Sequence, residues 1–164
     1  MKKFAAHYLF PVTDKPIAKG IIHVDQSGLI LGLIKSNGQL SEEAGLEFHN
    51  GIICPAFVNV YPEFEPERFY KKFPLLKDFD ELRPPRLSTE KDLLGWLISI
   101  QQNNEKISLE QLIRIFTLDA AKSISLDKEL GSLQENKRPG LMLISGMDYH
   151  NLRLTANSHL KRLI

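Results

Sequence analysis

Glu63 and Glu65 alternate along the chain after Tyr61, and in an extended strand alternation puts the two carboxylates on one face. Two carboxylates so placed could share acid and base roles, or hold a hard cation through their oxygens. Tyr61 adds little to either, because a phenol with an unperturbed pKa of about 10 keeps its proton at neutral pH. Cys54, the single cysteine, lies earlier in an apolar run beside Pro55. A nucleophilic thiol needs an accessible, electropositive setting, and no histidine adjoins this one in sequence, so a buried and inert thiol is expected. His7, His23, His49, His150 and His159 are scattered without H-x-H or H-x3-H spacing, which suits scaffold or surface roles better than metal ligation. His23 and Asp25 could share a strand face. There is no G-x-S-x-G elbow and no glycine-rich phosphate loop.

The elements that would carry these residues are read from apolar periodicity. Residues 4–10 and 20–34 are β-prone, broken by Pro11, Pro16 and Gly20, with Gln26-Ser27-Gly28 as the turn of an antiparallel pair. A short strand is expected at Leu46–His49, with Asn50-Gly51 as a turn before the apolar run to Val60. Residues 61–86, rich in proline and phenylalanine, read as an ordered irregular connection with room for a short helix near 66–72. Residues 87–126 hold two helices. Thr89 with Asp92 and Ser108 with Gln111 have capping-box spacing, and Leu93, Trp96, Leu97 and Ile100, then Leu109, Leu112, Ile113, Phe116 and Ala120, recur at helical intervals. Residues 130–164 return to strands at Leu141–Ser145, Tyr149–Leu154 and Leu160–Ile164.

A chain of 164 residues with 43% apolar and 25% charged residues suits one soluble domain, 1–164. The net charge is +1 and neither sign gathers into a block, so neither nucleic acid nor a charged membrane is an expected partner. Arg153, His159, Lys161 and Arg162 read as a solvated strand edge rather than a phosphate-binding patch. The N-terminal apolar stretch is interrupted by His7 and stopped by Pro11, which reads as a strand and not a secretory signal. With no apolar run long enough to span a bilayer and one lone cysteine, a cytoplasmic location is expected.

Gly51 to Glu65 resembles the start of an amidohydrolase-superfamily barrel, a run of the form G-x-x-x-P-G-F-V-N-x-H-x-H whose two histidines bind zinc or iron. Tyr61 and Glu63 stand at those two positions here. Ser108 to Ile144 is similar to the segment that returns the chain of those enzymes from barrel to β-sandwich. Its departures are Phe116 for a small residue, Asp119 for Asn, Asn136 for Gly and Pro139-Gly140 for Ala-Asp. The resemblance covers about 1–65 and 87–164 and leaves no counterpart for barrel strands two to eight, since the chain is well short of the ~250 residues of a complete TIM barrel.

The resemblance therefore implies an α+β fold. Its core would be a β-sandwich-like composite domain built from both chain ends, with two or three helices packed on it. It implies a truncated, non-catalytic domain with degenerate ligand positions at Tyr61 and Glu63, no metal or other cofactor, and action through protein contact or ligand binding. Helices without their barrel would expose apolar surface, so a homodimer or another protein partner is expected. The alternative is a metal-dependent hydrolase of non-peptide carbon–nitrogen bonds, of deaminase or amidohydrolase type, alone or with a partner chain supplying the barrel. Glu63, Glu65 and Cys54 are the residues on which such chemistry could rest.

Overall fold

The fold is a computed structural model that describes residues 1–36, 39, 43–58, 71 and 90–164. Strand β1 (Lys2–Leu9) is followed by β2 (Ile17–Ala18), β3 (Ile21–Val24), β4 (Ile30–Ile34) and β5 (Leu46–Pro55). Helix α1 (Glu90–Asn103) and α2 (Leu109–Arg114) come next, and a wider π turn, Ile115–Asp119, joins α2 to the single-turn α3 (Ala120–Ser123). Strands β6 (Leu141–Ser145) and β7 (His159–Arg162) close the chain. The seven strands form one sheet in the order β4-β3-β1-β5-β6-β7, with β2 paired to β1. Among the described strands only the β1–β5 pair is parallel. The architecture is α+β, and the described residues form no barrel.

The two faces of the sheet bury separate cores. Met142 and Ile144 pack with the helices, whereas Leu141 and Leu143 pack on the opposite face, the alternation a pleated strand imposes. The helical side also takes Ile52 and Cys54 from β5, Leu93, Trp96, Leu97 and Ile100 from α1, and Leu112 and Phe116 from the second helical run. Leu97, Ile100 and Leu112 are wholly buried, each contributing about 1.5–3 kcal/mol by area. Trp96 and Phe116 meet edge to face, their ring centres 5.4 Å apart, the arrangement aromatic quadrupoles favour. The opposite core gathers Phe4, Ala6, Ile22, Val24, Ile30 and Ile53 under Leu133.

Local signals account for the second helical run. Ser108 Oγ accepts the Gln111 amide at 3.1 Å while Gln111 Oε1 accepts the Ser108 amide at 2.9 Å, so the expected capping box is present. The apolar stripe of α1 is buried as expected, but Thr89, half of its expected cap, lies outside the described residues. Asn136 takes a left-handed φ of 66°, a conformation that asparagine tolerates better than most residues.

Three expectations are corrected. Asn50-Gly51 is no turn, since β5 runs unbroken through it. The β1–β5 register shifts between Ala6/His49 and Tyr8/Ile52, so His7 stands opposite both Asn50 and Gly51 in a bulge. Glycine is needed because a Cβ at position 51 would collide with the Ile144 carbonyl of β6. The bulge also switches faces along β1: Phe4 and Ala6 pack with the second core, while Tyr8 and Phe10 pack beneath the helices.

The second correction concerns Tyr149–Leu154, which is a loop held by one bridge between Asp148 and Arg153. Asp148 closes it locally by accepting the amides of His150 at 2.9 Å and Asn151 at 3.1 Å, an arrangement that competes with strand pairing. The third concerns Arg153, which lies on no strand edge. Its guanidinium donates to the carbonyls of Gln101, Asn104 and Glu105 and so caps the C-terminal end of α1. The other basic residues, Lys161 and Arg162, do sit exposed on edge strand β7.

Candidate functional site

Strand β5 leads towards the segment that carries Tyr61, Glu63 and Glu65. Beyond Pro55, Ala56 donates its amide to the Gly140 carbonyl at 3.3 Å, and Val58 donates to the Phe116 carbonyl in the π turn at 2.8 Å. Thr117, next along, is buried and returns its hydroxyl to the Ile113 carbonyl at 2.6 Å. Tyr61, Glu63 and Glu65 lie outside the described residues, as does the 61–86 connection apart from Lys71.

Cys54 is placed opposite Met142 in the β5–β6 ladder and is completely buried beneath the helices. Loss of solvent pushes its thiol pKa far up, which keeps it protonated and a poor nucleophile at any physiological pH.

The histidines are not brought together. His23 Nε2 meets Glu43 at 3.1 Å, and Lys3 meets the same carboxylate at 2.9 Å; the hydrogen bond from Lys3 is the largest influence holding Glu43 below its ordinary pKa. Asp25 does not join His23. Its Oδ1 instead accepts the amides of Ser27 at 2.7 Å and Leu29 at 2.9 Å. His7 packs tilted against Tyr149, ring centres 4.9 Å apart, and His49 against Phe4 at 5.9 Å. His159 Nε2 lies 2.8 Å from Ser145 Oγ. Among the described residues, no three His, Cys, Asp or Glu side chains converge on a point that could hold a metal ion, and no helix is long and apolar enough to cross a membrane.

What the fold does bring together is basic and apolar. At the end of the sheet where β5 leaves and β6 enters, a groove of about 360 Å³ is lined by Ala56, Phe57, Pro139, Ile164, Arg138 and Arg162. A smaller cleft of about 170 Å³ lies between the loop after β1 and α2, with Asp14, Glu110 and Arg114 in its wall. The pairing of Arg138 with Arg162 has no sequence signal, because it depends on β6 and β7 entering the sheet antiparallel and side by side.

No family model, curated protein or solved structure matches this chain.

Proposed function

We propose that the chain is a non-catalytic domain derived from an amidohydrolase, acting through protein contact or ligand binding. The observation that carries this reading is how the residues after β5 are held. Ala56 and Val58 spend their amides on Gly140 and Phe116 of the C-terminal half, where the first strand of a barrel would pair with parallel neighbours on each side. The exchange of histidines for Tyr61 and Glu63 supports it from the sequence, since neither residue supplies a neutral imidazole to a transition metal.

In the same reading the sheet is a sandwich-like composite of both chain ends. Support comes from its outer strand β4, where Ile30 exchanges main-chain hydrogen bonds of 2.9 Å with the 136–137 segment. Leu33, Leu163 and Ile164 settle on one shared core. The domain works in the cytoplasm as a homodimer or with another protein. Ile124 and Leu126, apolar and exposed just past α3, are the residues a partner would cover.

Metal analysis and turnover assays on the purified protein test the reading. Stoichiometric zinc or iron, with deaminase or amidase activity lost on chelation, overturns it. Light scattering at micromolar concentration tests the dimer, which a monomeric mass overturns.

A further inference from the structure

We propose that the groove between Arg138 and Arg162 binds a small organic carboxylate with an apolar body. This deepens the ligand-binding part of the function proposed above and rests on it. The groove's volume of about 360 Å³ falls within the range of small-molecule sites, about 300–1,000 Å³. Its walls divide by chemistry. Ala56, Phe57, Pro139 and Ile164 give an apolar surface, and the two guanidiniums supply the positive charge.

Arg138 is oriented in advance. Its Nε donates to Ser27 Oγ at 3.2 Å, and that hydroxyl donates to Asp25 Oδ1 at 2.7 Å. Asp25 is in turn fixed by the Ser27 and Leu29 amides, so it steers the arginine through Ser27 instead of pairing with its outer nitrogens. Those two Nη atoms have no hydrogen-bonded partner among the described residues. A guanidinium held by Nε presents them together, the fork that a carboxylate matches with two parallel bonds. Arg162 lines the same groove from β7. An anionic group between the two gains charge-assisted bonds, and its hydrocarbon body covers the Ala56, Phe57 and Pro139 surface.

Titration of the full-length protein with hexanoate, hexanamide and inorganic phosphate, followed by amide chemical shifts, tests the proposal. Hexanoate is expected to bind about tenfold tighter than hexanamide, with the largest shifts at Gly28, Phe57 and Gly140. Arg138→Gln and Arg162→Gln are each expected to weaken it about fivefold while amide shifts remote from the groove stay in place. Equal binding of the amide overturns the charge requirement, and phosphate binding as tightly as hexanoate overturns the apolar one. Shifts centred elsewhere, or affinity unmoved in both variants, overturn the site. Metal content and turnover are measured separately, so failure of this site leaves the non-catalytic reading standing, and failure of that reading shows in different measurements.

Discussion

Arg153 and Gln101 hold each other across the junction of α1 and the C-terminal loop. The Arg153 guanidinium donates to the Gln101 main-chain carbonyl, and Gln101 Oε1 accepts the amide of Leu154 at 2.8 Å. Gln101 is only 1% exposed, so its side chain has no water to replace these partners. Removing one member of a buried polar pair leaves the other unsatisfied. Arg153→Ala and Gln101→Leu are each expected to lose about 1–3 kcal/mol in denaturant unfolding. Arg153→Lys should restore little, because one ammonium cannot reach the three carbonyls that the planar fork spans.

Two glycines give opposite expectations for the same substitution. Gly51→Ala drives a Cβ into the Ile144 carbonyl and the Leu143 side chain, and overpacking of this kind costs about 1–3 kcal/mol. Gly95 is exposed inside α1, and a Cβ there meets nothing within 4 Å. Gly95→Ala is expected to raise stability by about 0.5–1 kcal/mol through helix propensity. Thermal melts of the two variants check both signs.

Ser108→Ala removes the oxygen that receives the Gln111 amide at the start of α2. A loss of about 1 kcal/mol is expected, while Ser108→Asp keeps an acceptor and should retain most of the stability. Chemical denaturation of the two variants separates capping from a simple loss of polarity.

Burial raises the Cys54 pKa, so the folded chain keeps a proton that the unfolded chain releases above the ordinary thiol value of 9.0. The stabilisation is fully present below that pH and declines as pH rises past it. Cys54→Ala should therefore show a shallower alkaline loss, by about 1.4 kcal/mol per pH unit, in urea midpoints measured above pH 9.0. At neutral pH a soluble disulfide reagent is expected to label Cys54 only after denaturant is added.

Features whose physics is local could be read from the sequence. The Ser108 box and the Leu93–Ile100 stripe declare themselves within a few residues, and both stand in the structure. Asn50-Gly51 misled because the residues that suit a tight turn also suit a bulge, and only the β6 carbonyl at Ile144 distinguishes the two. The 149–154 stretch alternates like a strand, yet Asp148 with Asn151 three residues on was a readable sign of a side-chain-closed turn. Arg153 could not be read, since its carbonyl partners lie 48 to 52 residues earlier in the chain, beyond two helices and β6. Of the candidate chemistry, the burial of Cys54 was legible from its apolar neighbours. Tyr61, Glu63 and Glu65 fall outside the described residues.

Because β5 must pair with β6, the order of synthesis matters. Residues 1–55 can assemble β1 to β5 as they leave the ribosome, but the open edge of β5 waits for residues 141–145. Until then Ile52 and Cys54 lack the Met142 and Ile144 they finally pack with. Closing so long a loop is slow relative to local pairing, and an unpaired edge invites other chains. Nascent chains stalled before residue 141 thus leave the β5 edge open to strands of other chains, and synthesis of β6 covers it.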